Sequence, residues 1–101
     1  MVTLFQSKVY HLTKKIPKGK VTTYKRIAKK LRTNAYRAVG SALRHNEHIK
    51  IPCHRVVNSG GSVGGYSGVK NSKKKIQLLK KEGIEIKNNK IENFKKVLFR
   101  F

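Results

Sequence analysis

The sequence predicts a mainly α domain of the α+β class, a winged-helix-like helix-turn-helix with a small β-hairpin. Three observations carry that prediction. Apolar residues recur at helical spacing through residues 3–16, 22–31 and 35–46. A short polar break, "RTN" at Arg32–Asn34, separates the second segment from the third, as a helix-turn-helix requires. Near the end, "IEIKNNKIENF" is patterned about an Asn88-Asn89 pair suited to a hairpin turn. A chain of 101 residues can bury one modest core and not two, so a single domain over 1–101 is expected.

Taken in order, Phe5, Val9, Leu12 and Ile16 give the first helix its inner face, and "PKGK" ends it. Thr22 or Thr23 can cap the second helix, with Tyr24, Ile27, Ala28 and Leu31 inward. Asn34 can cap the third, whose inner face is Val39, Ala42 and Leu43. "IKIPCHRVV" reads as extended or irregular, because Pro52 biases Ile51 away from helix. "NSGGSVGGYSG" is a loop holding five of the eight glycines. A basic helix, "SKKKIQLLKKE", starts behind Asn71 or Ser72 and stops at Gly83. The apolar end, "VLFRF", is expected to pack back on the core.

Composition narrows the function. Lysine and arginine number 25 against four acids, a formal charge of +21. Such an excess favours a polyanionic partner, and nucleic acid fits best through phosphate contacts and counterion release. A merely solvated lysine face is the rival reading. An anionic membrane fits less well, since no long basic amphipathic helix has a broad apolar face. No apolar run is long enough to span a bilayer, and the N-terminus lacks the pattern of a secretory signal. The four acids are Glu47, Glu82, Glu85 and Glu92, with no aspartate, which supplies paired-carboxylate or two-metal hydrolysis poorly. The single cysteine cannot form an internal disulfide, which suits a reducing cytoplasm.

That cysteine, Cys53, lies beside His54 and Arg55. Positive surroundings favour the reactive thiolate, while a lone buried cysteine is often inert, and composition leaves both readings open. His45, His48, Cys53 and His54 match no common zinc spacing. The glycine-rich loop lacks the Walker lysine, and its tyrosine, Tyr66, could stack on a flat ring or simply belong to a surface loop.

The segments "RAVGSALRHN", "IPCHRVV", "GGYSG" and "LLKKEG", in that order, resemble the DNA-binding and active-site domain of the O6-alkylguanine-DNA alkyltransferases, the methylated-DNA–protein-cysteine methyltransferases. The resemblance runs from about Phe5 to Gly83. It implies double-stranded DNA containing O6-alkylguanine as partner, met through the minor groove, and base flipping. It also implies irreversible transfer of the alkyl group to a cysteine in a single turnover. Cys53 matches the nucleophile, His54 the base that takes the thiol proton through a water, and Glu82 the carboxylate that orients the histidine. Tyr24 matches the tyrosine that crowds the phosphate and protonates the leaving guanine. Arg37 matches the finger that fills the space left by the flipped base, and Asn46 the brace of the active-site turn. Tyr66 and Ser67 match the loop pair over the base. The main-chain carbonyls of Cys53 and Val56 match acceptors for its exocyclic amine.

The resemblance implies no cofactor and no metal, a monomer, and a cytoplasmic location, nucleoid-associated if the source is prokaryotic. The family's usual N-terminal domain is read as absent. The turn between Tyr24 and Arg37 is one residue shorter than in common members, and the segment from Tyr66 to Glu82 two residues longer, with the extra residues assigned to the loop before the helix. Two rivals remain. An alkyltransferase-like lesion-binding protein shares this framework without transfer and typically carries tryptophan in place of Cys53. A plain helix-turn-helix DNA-binding protein would hold Cys53 inert.

Overall fold

A computed structural model describes residues 3–44, 51–63 and 73–101. Helix α1 spans Leu4–Lys14 and opens with a reciprocal cap: Thr3 Oγ1 accepts from the Gln6 amide at 3.0 Å, and Gln6 Oε1 accepts from the Thr3 amide at 2.9 Å. It ends two residues earlier than its apolar spacing suggests, yet Ile16 is still buried. Strand β1, Thr22–Thr23, leads directly into α2, Tyr24–Lys30, where Thr23 is the cap and accepts from the Arg26 amide.

The turn after α2 closes tightly. The Thr33 amide donates to Ala28 and the Arg32 amide to Lys29, a pairing that needs a left-handed residue between. Arg32 takes that conformation at φ 60°, where glycine would be the unstrained choice. Helix α3 follows at Tyr36–Arg44. The side-chain contact at this turn comes from Thr33, which accepts from the Ala35 amide, whereas Asn34 contributes its main-chain carbonyl to Tyr36. The expected Asn34 cap is thus replaced by a threonine turn one residue earlier.

Helices α1, α2 and α3 enclose the first core, built on Val9, Leu12, Ile27, Val39 and Leu43, with Tyr24 and Cys53 packed at its edge. The Tyr10 hydroxyl donates to the Ala42 carbonyl at 2.6 Å and ties α1 to α3. Strand β2, Val56–Val57, pairs in parallel with β1, Thr22 opposite Val56 and Thr23 opposite Val57. Strand alternation sends Val56 into this core and Val57 into a second one with Val21, Val63, Leu79 and Ile84. Each fully buried aliphatic side chain contributes about 1.5–3 kcal/mol of burial. The short sheet therefore joins two cores, and the site lies beside it.

Helix α4, Lys73–Lys81, ends as expected before Gly83. Gly83, at φ 90°, permits the Ile84 amide to reach Leu79 and its own amide to reach Lys80. That pair of hydrogen bonds fixes Glu82 at the helix end. Strands β3, Ile86–Lys87, and β4, Lys90–Ile91, form the predicted hairpin, with Asn88 and Asn89 both left-handed in its turn. A short helix α5, Phe94–Val97, precedes a tail that bonds to Val21 on both sides: Val21 donates to Val97 and Phe99 donates to Val21. Phe99 and Phe101 pack on the first core, as "VLFRF" suggested. Among the described residues no helix is long and apolar enough to cross a membrane.

Candidate active site

Pro52 shapes the segment that carries the thiol. At φ −79° and ψ 64° it sits at the centre of a three-residue turn, closed by the Cys53 amide donating to the Ile51 carbonyl at 2.8 Å. Cys53–Arg55 then forms one 3₁₀ turn before β2, with the Val56 amide donating to the Cys53 carbonyl. Of the two paths expected for "IKIPCHRVV", extended or irregular, the structure takes the irregular one through "PCHR" and the extended one only at Val56–Val57. Proline restrains the residue before it, not the three after it.

This turn throws His54 and Arg55 onto the end of α4. His54 Nε2 meets Glu82 Oε2 at 2.9 Å. Arg55 takes the same carboxylate with two donors, Nε to Oε1 at 2.9 Å and Nη2 to Oε2 at 2.7 Å, and its Nη1 donates to the Ile16 carbonyl at 2.8 Å. Burial alone would raise the Glu82 carboxyl, but the bonds from Arg55 and His54 outweigh it and hold the group below its ordinary value. Glu82 is thus ionised at neutral pH and accepts from His54, which puts the imidazole hydrogen on Nε2 and leaves Nδ1 as an acceptor. Burial lowers the His54 pKa, against the pull of Glu82 and helped by Arg55 and Lys75. The imidazole is neutral at pH 7 and able to take a proton.

Cys53 is half-buried at the edge of the first core, as a free thiol. Tyr24, at the start of α2, packs at that same edge, and burial together with the nearby Cys53 raises its pKa, so the phenol stays protonated. Both carbonyls expected to face a base already accept one bond: Cys53 from the Val56 amide, Val56 from Lys75 Nζ at 2.7 Å. A carbonyl has two lone pairs, so each keeps one acceptor position.

Arg37 is exposed on the first turn of α3. Close by, Lys25, Lys29, Arg32 and Tyr36 line an open groove between α2 and α3, and Lys25 Nζ sits over the Tyr36 ring at 5.4 Å. Asn46, Tyr66 and Ser67 lie outside the described residues, as do His45 and His48. Among the described residues no group of three or more His, Cys, Asp or Glu could hold a metal ion.

Two side chains at the site were not singled out from the sequence as site residues. Arg55 clamps Glu82, and the pattern "CHR" facing the glutamate of "KKEG" was its signal. Lys75 is fully buried, and its signal was spacing: it stands four residues before Leu79 and seven before Glu82, on the inner face of α4.

Residues 4–84 match the family described as 6-O-methylguanine DNA methyltransferase, DNA binding domain. A methylated-DNA–protein-cysteine methyltransferase of Candida glabrata is 46% identical over 90 residues, which cover 87% of this chain and 42% of that protein. Among solved structures, S. pombe Atl1, in complex with damaged DNA containing O6-carboxymethylguanine, superposes with a TM-score of 0.84 at 30% identity, covering 96% of this chain and 95% of its own. The O6-methylguanine-DNA methyltransferase of Pyrococcus kodakaraensis gives 0.71 at 44% identity, covering 82% of this chain and 48% of its own. The chain thus spans about half or less of the methyltransferases it resembles, and nearly all of Atl1. The breadth of the match over both cores and the Cys53 turn makes this chain a member of the 6-O-methylguanine DNA methyltransferase family, matching its DNA-binding domain.

Proposed function

We propose that this chain repairs O6-alkylguanine in double-stranded DNA by moving the alkyl group irreversibly to Cys53. The observation that carries the proposal is the His54–Glu82 contact of 2.9 Å, one residue from the thiol. It supplies the orienter and the base of a nucleophile–base–orienter array. Nδ1 of His54 would take the thiol proton through a water, and the thiolate would attack the alkyl carbon. The S–C bond forms as the C–O bond breaks, the electron pair returns to guanine, and the protonated phenol of Tyr24 supplies the proton that guanine takes up. A thioether is a very poor leaving group, so each molecule reacts once.

The exposed Arg37 and the basic groove of Lys25, Lys29 and Arg32 fit phosphate contact along the minor-groove side, with Arg37 entering the stack. Asn46, Tyr66 and Ser67 are assigned to the brace and the loop over the base by their place in the motif, and the single 1–101 domain acts as a monomer without cofactor. The likeness to Atl1 in extent raises lesion binding without transfer as the second reading, and Cys53 favours transfer.

The test is a duplex carrying one O6-methylguanine. Transfer restores guanine up to one equivalent per protein and then stops, and Cys53→Ser abolishes restoration. Tight binding of the lesion by the wild type with no guanine restored would contradict transfer and leave lesion recognition.

A further inference from the structure

We infer that Tyr36 is a DNA-contacting residue, whose ring packs on the sugar and base edges of the strand that Lys25, Lys29 and Arg32 hold by its phosphates. The inference rests on the reading of duplex DNA as the partner. Among the described residues two large apolar side chains are exposed, Leu4 on α1 and Tyr36 on α3, the latter by 41%. A single exposed apolar group is ordinary on a protein surface. The surroundings of Tyr36 are not ordinary, and no step of the proposed reaction uses it.

The ring stands in a basic cleft. Lys25, Lys29 and Arg32 line the groove between α2 and α3 together with Tyr36. Lys25 Nζ lies 5.4 Å from the ring centre, a cation–π distance that ties the ring to the cations on α2. The backbone beneath it is closed by two bonds. The Tyr36 amide donates to the Asn34 carbonyl at 2.9 Å, and the Ala35 amide donates to Thr33 Oγ1 at 3.1 Å. The ring is thus presented from a fixed position, one residue before Arg37. Ala35 and Ala38 are exposed on either side and are too small to hold a facing surface away.

Charge alone matches only part of a DNA strand. Phosphates meet lysine and arginine, while the sugars and base edges between them offer surface that an ammonium does not fit. A phenol ring does, with an apolar body and a polar tip. Aromatic packing of this kind is tolerant of sequence, because every nucleotide offers such a surface. It also releases no counterion, so it adds affinity that salt does not remove. Tyr36 therefore keeps α3 seated when the ionic contacts are screened, next to the residue proposed to enter the stack.

The test is the binding of a lesion-free duplex by wild type, Tyr36→Ala and Tyr36→Phe, read by fluorescence anisotropy across a salt series. Tyr36→Ala should raise Kd about fivefold or more at every salt concentration, with the slope of log K against log salt unchanged. Tyr36→Phe should follow the wild type, since the ring makes the contact. A Tyr36→Ala protein with the wild-type Kd overturns the inference, and so does an equal loss in Tyr36→Phe. A loss accompanied by a shallower slope also overturns it, because the ring would then act only by steering Lys25. Should Tyr36→Ala fail to fold, the wild type decides: bound duplex should shield Tyr36 from nitration by tetranitromethane, and full nitration in the complex overturns the inference. None of these measurements involves Cys53, so a protein that restores no guanine leaves them standing. A wild type that binds no duplex would overturn the DNA reading and this inference together, whereas equal binding by wild type and Tyr36→Ala overturns this inference alone.

Discussion

Replacing Glu82 by glutamine isolates the carboxylate that joins the nucleophile turn to α4. The carboxylate accepts three bonds from charged or polar donors, at 2.9, 2.7 and 2.9 Å, and its side chain is only 9% exposed. A glutamine amide has one oxygen. In its best orientation it satisfies Arg55 Nη2 and His54, and turns its NH2 toward Arg55 Nε, donor against donor. One charge-assisted bond and the ionic partner are lost, a cost of about 2–3 kcal/mol, with water screening part of it at the Arg55 edge. Because the folded-state carboxyl titrates below its unfolded value, this stabilisation is complete above the ordinary glutamate range. It is lost as pH falls through the folded value. Urea unfolding should therefore separate wild type from Glu82→Gln at pH 7 and bring them progressively together as the pH falls below the ordinary glutamate range. The rate of Cys53 alkylation by lesion duplex should drop about 10²-fold or more. A stability gap that stays constant from pH 7 to pH 3, or a variant with the wild-type rate, would refute the reasoning.

Arg37→Ala should slow transfer from duplex about tenfold more than reaction with free O6-benzylguanine, since only the duplex demands unstacking. Equal losses, read by quenched-flow on both substrates, would remove the finger role. Lys25, Lys29 and Arg32 offer three phosphate contacts, so the slope of log K against log salt should be about −3 by fluorescence anisotropy, and a flat response would turn this face away from DNA. Arg32→Gly relieves a left-handed backbone at φ 60°. It should leave thermal stability unchanged or raise it by up to about 1 kcal/mol, while making the salt slope shallower by about one. A clear loss of stability would mean the arginine side chain braces the turn.

The helical part of this fold was legible because its signal is local. Val39, Ala42 and Leu43 on α3, Thr23 as a cap and Asn88-Asn89 as a turn all follow from spacing and side-chain chemistry, and all stand where expected. The parallel pairing of β1 with β2 was not legible. Two residues on each side leave no periodicity, and more than thirty residues separate the partners. The 3₁₀ turn at Cys53 was hidden for a related reason, since it is set by the Pro52 turn and by capture of Arg55 at Glu82 and Ile16. Motif order brought His54 and Glu82 to notice, and the structure brings them together because Gly83 stops α4 one residue after the glutamate. Lys75 went unread because charge run and inner face compete in "SKKKIQLLKKE", and only packing reveals which lysine points inward.

The most direct measurement is the mass of the Cys53 peptide after the protein meets a duplex containing O6-methylguanine. Transfer predicts one methyl group on that peptide, in amount equal to the guanine regained, and no increase on longer incubation. An unmodified Cys53 in folded protein that has bound the lesion would contradict the account.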